Sequence, residues 1–178
     1  DVPVYALSKL AGEHVKVVLS GEGADELLGG DPKHRGEVML NKAQRLLPSF
    51  MDPAIGAIGK RLPYKYRRLA ILARVAQNRD FIDRQGAWFG LMNASDAARL
   101  CPDLFGEDRH FNWAEDPGEG TDNLIRSLKF DKTVWLPGTL LERGDRMTMA
   151  ASVEGRMPFM DTKLTQFVSG LHPDCFLN

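Results

Sequence analysis

Short apolar clusters alternate with charged stretches along the chain, and most of the clusters repeat at helical intervals. In "YALSKLAGE", residues 5–13, Leu7, Leu10 and Ala11 recur at the spacing of one helix face. "VKVVLS", residues 15–20, breaks that pattern. Its four apolar residues, bounded by Gly21, predict a short buried strand of the parallel type. No other segment has a convincing strand pattern. After Gly30 the helical period returns. Val38, Met39, Ala43, Leu46 and Leu47 fall on one side of a segment that Pro48 ends. "PAIGAIGKRL" predicts a short helix weakened by its glycines. "YKYRRLAILARVAQNRD" has the strongest period, with Leu69, Leu72, Ala73 and Ala76 on one face and arginines opposite.

Farther on, "DFIDRQGAWFGLM" predicts another helix, and "SDAARLC" a short one with Ser95 as N-cap. "GEDRHFNWAEDPGEGTD" has no period, carries three Gly and a Pro, and predicts an exposed loop. Helix resumes over 122–136 and is expected to stop at Pro137. "GTLLERGDRMTMAASVEGR" predicts a helix followed by a turn, and "DTKLTQFVSGLHP" a last helix with Gly170 near its end. There is no internal repeat. The expected architecture is mostly α with one short parallel-type strand near the N-terminus. A lone strand leaves its backbone groups unpaired, so its neighbours are expected outside this sequence, as in a piece of a longer protein.

Composition narrows the classes. The 178 residues suit one domain with a sizeable core. At 43% hydrophobic and 26% charged, the chain is neither disordered nor fibrous. A net charge of -1 offers no broad basic field for nucleic acid or anionic lipid, so any bound anion must be held locally. Cys101 and Cys175 form no CxxC and no disulfide framework, which fits a reducing cytoplasm. No apolar run approaches the roughly 18 residues of a membrane span, and no secretory leader pattern is present.

The candidate chemistry lies in "VKVVLSGEGADELLGG", residues 15–30. A strand passing through Ser20, Gly21 and Gly23 into a helix turns backbone N–H groups toward a small concavity suited to an anion. Carboxylates crowded there would repel a phosphate unless a divalent cation lay between. Asp25 thus reads as a Mg²⁺ ligand, and Glu22, between the two glycines, as a group placed to move a proton. Residues alone leave a second reading open, in which the carboxylates merely cap the following helix.

The same stretch resembles a signature of the synthetase domain of glutamine-hydrolysing asparagine synthetases. "LPGTLLERGDRMTMAASVEGRMPFMDTKLTQFVSGL" is similar to that family's helical segment, in which D-R-x-[ST]-M-A leads to V-E-x-R-x-P-F-x-D. The resemblance implies the helical C-terminal part of an α/β adenine-nucleotide α-hydrolase-like synthetase domain. Residues 1–30 would be the last strand and signature loop of its nucleotide-binding part, and 31–178 its helical part. It also implies aspartate and ATP as substrates, an aspartyl-adenylate, and ammonia delivered by a glutaminase domain. By the same resemblance Ser20, Gly21 and Gly23 bind the nucleotide, Asp25 binds Mg²⁺ and pyrophosphate, and Glu22 faces the acyl-adenylate. In β-lactam-forming relatives the position of Glu22 is a tyrosine, so Glu22 favours amide formation. The glutaminase Cys and the S-G-G-x-D-S loop of the family pattern are absent from these residues, and this piece alone is expected not to catalyse. A homodimer of the full-length protein is a further expectation. The alternatives are a related amidotransferase acting on another carboxylate, and a non-catalytic helical module.

Other charged residues carry two readings. Arg146 and Arg156 either line the substrate pocket or serve structure, with Arg156 paired to Glu154 across a turn that orients "RMPF" against the core. Asp145 and Glu154 read as structural. Met147, Met149 and Met157 read as core filler. His14, His34, His110 and His172 show no ligand spacing and no partner pattern. "KRLPYKYRRL" reads as a solvated helix face despite its interleaved tyrosines.

Overall fold

A computed structural model describes residues 1–89, 99–103, 113, 116–118 and 120–176. They fall into two compact units, one of residues 1–35 and 116–178 and the other of residues 36–115.

The first unit begins with α1 (Val2–Gly12), whose Pro3 sits in the first turn, where no helical N–H is needed. Its sheltered positions are Val4, Ser8, Ala11 and Gly12, while Leu7 and Leu10 face solvent. The expected face is therefore rotated. Small residues let α1 approach closely: a Cβ on Gly12 would lie 3.0 Å from the Ala151 carbonyl oxygen.

Strand β1 (Val17–Leu19) forms where the β-branched run predicts it, but it does not lack a partner in this chain. It pairs in parallel with β2 (Glu154–Arg156), Val18 opposite Gly155. Glu154 N–H donates to the Lys16 carbonyl and Ser20 N–H to the Arg156 carbonyl, each at 2.8 Å, extending the ladder at both ends. The residues of β2 read as a turn in sequence because Glu-Gly-Arg shows no strand period. Nor is β1 a buried strand. Leu19 is 73% exposed and Val17 is also exposed.

Pro137 does not end a helix as expected. Helix α7 (Asn123–Phe130) starts at Asp122, whose carboxylate accepts from Leu124 N–H at 2.8 Å. It buries Leu124, Ser127, Leu128 and Phe130. The chain then continues as a π-helical segment, Asp131–Leu141, with Pro137 inside, and runs into α8 (Glu142–Ala150). Proline ends an α-helix by clashing with the carbonyl four residues back and by lacking an N–H. The wider π turn changes which carbonyl faces that ring, so the helix passes through. Ser152, at φ 58, then turns the chain into β2. The unit closes with α9 (Thr162–Ser169), capped by Asp161, which accepts from Lys163 and Leu164 N–H at 3.0 Å each.

Helix α3 (Pro32–Leu46) begins in the first unit and continues into the second. That second unit adds α4 (Asp52–Arg61), α5 (Arg67–Ala76) and α6 (Phe81–Phe89). Its core gathers Leu40, Val75, Ala76 and Ala87, with Ile55, Leu72 and Trp88 packed against them. Val75 is fully buried, whereas Leu69, expected on the apolar face, is 53% exposed. The glycines that weaken the α4 pattern are contact points with α5. Gly59 is buried, and a Cβ there would stand 2.6 Å from that of Ala73. Lys60, Arg61, Lys65, Arg67 and Arg68 are exposed. Trp113, in the segment expected to be an exposed loop, is buried and stacks on Phe81 with centroids 6.2 Å apart. The predicted helix and N-cap at Ser95 lie largely outside the described residues, as does most of the loop around Trp113.

Candidate functional site

The candidate site is the turn from β1 into α2 (Ala24–Leu28), all of it within the first unit. Gly23 adopts φ 90 and Gly29 φ 79, conformations that L side chains rarely take, so both ends of the five-residue helix require glycine. Gly23 is also held by packing, since a Cβ there would fall 2.6 Å from Met160 Cε. Gly21 is open, with no atom within 4 Å of its would-be Cβ. The backbone is bare there. Ser20 Oγ accepts from Glu22 N–H at 3.3 Å, tightening the turn.

The two carboxylates of the loop differ sharply. Asp25 is exposed, and its side chain makes no ion pair among the described residues. Glu22 points inward. Its Oε2 is buried and has no hydrogen-bond partner among the described residues. Gly144 of α8 gives it room, because a Cβ on Gly144 would sit 2.8 Å from Glu22 Oε2 and 3.3 Å from Met157 Cε. Thr148 Oγ donates back to the Gly144 carbonyl at 3.0 Å and packs beneath Gly155 of β2. A buried carboxylate oxygen lacking a donor is costly, and a ligand N–H or a water would satisfy it. Sequence reasoning missed Gly144 and Met160. Their link to the loop is a close approach across the fold, and no local pattern signals it.

Arg156 adjoins the loop through its main chain, since its carbonyl accepts from Ser20 N–H. Its guanidinium bonds Glu154 at 2.8 Å, both side chains exposed. The pair lies along a strand and faces solvent, so it does not orient "RMPF" against the core. Arg146 pairs with Glu142 one turn back, also on the surface. Asp145 is exposed. Of the methionines read as core filler, Met147 and Met157 are partly buried, but Met149 is 62% exposed.

Behind α2 lies a buried charged cluster. Lys33 and His34 both bond Asp131, Lys33 Nζ at Oδ1 and His34 Nε2 at Oδ2, the latter at 2.8 Å. His34 thus has a partner that its sequence surroundings conceal. Burial pushes the Glu26 carboxyl above the ordinary carboxylate range. Asp131 and Asp25 add to this, while a hydrogen bond to its own backbone and the Lys33 charge oppose it. Burial likewise pulls the Lys33 ammonium below the usual lysine value, against the attraction of Asp131. A raised carboxyl pKa means that the folded chain binds that proton more tightly than the unfolded chain. The contribution of Glu26 to stability therefore falls as pH rises from the ordinary carboxylate value through the raised one, and stays low above it. Glu26→Gln is expected to be more stable than the parent near neutral pH and to converge with it below the carboxylate range. Urea midpoints across pH check this, and a variant less stable at neutral pH would contradict the burial account.

No group of three or more His, Cys, Asp or Glu side chains able to hold a metal occurs among the described residues. Asp25 nevertheless fits as a single arm. Mg²⁺ is commonly held by one or two carboxylates together with phosphates and water, and this one is exposed and in no ion pair among the described residues.

The sequence profile of the family described as asparagine synthase matches residues 1–178. The chain belongs to the asparagine synthase family. It is 32% identical to a provisionally named glutamine-hydrolysing asparagine synthetase of Mycobacterium tuberculosis, over 96% of this chain and 26% of that protein. It is 30% identical to glutamine-hydrolysing asparagine synthetase 1 of Bacillus subtilis, over 97% of this chain and 27% of that one. The chain thus spans about a quarter of the length of the curated relatives it matches. No solved structure matches it significantly. No helix among the described residues is long and apolar enough to cross a membrane. The mostly helical chain with its two-stranded parallel sheet fits a part of an asparagine synthase domain.

Proposed function

We propose that this chain contributes the signature loop to an ATP-dependent, glutamine-hydrolysing asparagine synthetase of the cytoplasm. In this reading the β1–β2 sheet is one end of the parallel sheet of an adenine-nucleotide α-hydrolase-like domain. The intact protein adenylates the aspartate side chain, and ammonia from a glutaminase domain displaces AMP to give asparagine. The observation that carries the reading is the loop's pairing of an open backbone at Gly21 with a buried, unpartnered oxygen on Glu22.

The residues divide the work. Ser20, Gly21 and Gly23 present main chain to the AMP portion, with Gly21 leaving the approach clear. Glu22 Oε2, lacking a donor among the described residues, accepts a proton from the ammonia nitrogen as that nitrogen bonds the acyl carbon and AMP departs. Asp25 would hold Mg²⁺, which when bound offsets negative charge on pyrophosphate. Arg146 and Arg156 remain surface groups able to meet a substrate carboxylate only by leaving Glu142 and Glu154. Residues 1–178, without an S-G-G-x-D-S loop, are expected to be inactive by themselves.

The test is aspartate-dependent ATP–pyrophosphate exchange by the intact protein, followed by asparagine production with glutamine or ammonia. Exchange stimulated by a different carboxylate would make it a related amidotransferase. No exchange with any carboxylate would leave the non-catalytic module.

A further inference from the structure

Asp25 is exposed, yet its carboxylate has a defined seat in the first unit. A Cβ on Gly30 would overlap Asp25 Oδ1 and stand 3.2 Å from Asp25 Cγ. Gly23 and Gly29 have positive φ and Gly30 does not, so no backbone angle requires a glycine at position 30. What a side chain there would take is the room that the carboxylate occupies. Gly29 and Gly30 N–H both donate to the Asp25 carbonyl, at 2.8 and 3.3 Å, which folds the turn back onto the end of α2. The turn is also anchored on its far side. Asp31, just before α3, accepts from Lys33 N–H with its carboxylate at 2.8 Å and from His34 N–H with its carbonyl at 3.0 Å. The side chains of Lys33 and His34 both end on Asp131, and all three residues are no more than 5% exposed. Asp131 opens the π-helical segment that runs into α8, and α8 carries Gly144 against Glu22. One buried carboxylate thus ties the Gly30 turn to the helix that makes room for Glu22.

We propose that the Gly30 turn, anchored by Asp131, positions the Asp25 carboxylate for the Mg²⁺ and pyrophosphate role assigned to it above. The inference rests on that reading and adds two positioning residues, Gly30 and Asp131, which act through Asp25 and not on the substrate. Groups that orient a metal's ligand typically contribute about 10–100-fold to metal affinity or activity.

Magnesium pyrophosphate is titrated by calorimetry into the intact protein and its variants, with urea midpoints read alongside. Gly30→Ala is expected to weaken binding about 10-fold while its urea midpoint equals or exceeds the parent's. Alanine there need only push aside the end of the Asp25 side chain, and it restricts the unfolded chain. Asp131→Asn should weaken binding to a similar degree, and where that variant does not fold, Gly30→Ala decides. Asp25→Asn should weaken binding as well, and Gly30→Ala added to it should cost nothing further, because both changes act through one carboxylate. Gly86→Ala on α6, where a Cβ meets no atom within 4 Å, should leave binding unchanged. No binding by the parent, or binding undiminished in Asp25→Asn, overturns the reading of Asp25 and the inference with it. Binding that falls in Asp25→Asn but survives Gly30→Ala or a folded Asp131→Asn overturns the inference alone. A loss in Gly30→Ala that adds in full to that of Asp25→Asn does the same.

Discussion

Glu22→Gln in the intact protein is expected to slow amide formation by about 10²–10⁴-fold, the usual contribution of a positioned general base, while aspartate-dependent ATP–pyrophosphate exchange persists. The Glu22 side chain fits against Gly144 with its Oε2 buried and without a hydrogen-bond partner among the described residues, and Gln fills the same space without the basic oxygen. Asp25→Asn is expected to act one step earlier. Asp25 is exposed and makes no ion pair among the described residues, so loss of its charge breaks no ion pair there. Adenylate formation should fall on the order of 10²-fold, in line with removal of one well-placed electrostatic group. Exchange and asparagine production measured side by side separate the two. If Glu22→Gln abolishes exchange as thoroughly as Asp25→Asn, Glu22 belongs to adenylate formation and the proton-transfer role is wrong.

The largest effect on stability is expected in the second unit, at Glu37. Its Oε1 accepts from Arg84 Nε at 2.7 Å and its Oε2 from Trp88 Nε1 at 3.0 Å, with Glu37 fully buried and Arg84 4% exposed. Arg84 also donates to the Arg79 carbonyl at 2.6 Å and to Gln44 Oε1 at 3.3 Å, tying α3 to the start of α6. Glu37→Ala strands a buried guanidinium, and Arg84→Met strands a buried carboxylate. Each should cost about 3–5 kcal/mol, the range for breaking one partner of a buried pair. The double variant Glu37→Leu with Arg84→Met should lose much less than the sum, because two desolvated charges leave together. Urea unfolding followed by tryptophan fluorescence would report it. A cost under about 1 kcal/mol for either single variant would place the pair among exposed ion pairs and contradict its burial.

The local chemistry was legible in the residues. The β-branched run before Ser20 forms a strand, and the helices expected from 122 and from the "DTKLTQFVSGLHP" segment start there. Each of these depends on a few neighbouring side chains and backbone angles, and such information is contiguous in sequence. The signature loop and the V-E-x-R segment are readable for the same reason, and the family match over residues 1–178 agrees with both.

Tertiary structure alone decided the rest. Glu-Gly-Arg becomes a strand only because β1 offers it a ladder from the far end of the sequence. Pro137 stays inside a helix because the turn around it widens. Periodicity reports that a face is covered, not which element covers it, and so Leu7 and Leu69 fit the pattern of covered faces yet lie in solvent. His34 and Glu37 look like ordinary charged residues of one helix until their partners, Asp131 and Arg84, arrive from distant segments. The room that Gly144 leaves for Glu22 is of the same kind. Hydrogen bonds, ion pairs and close approaches between remote residues act over a few ångströms in space, and their separation along the chain leaves no periodic trace.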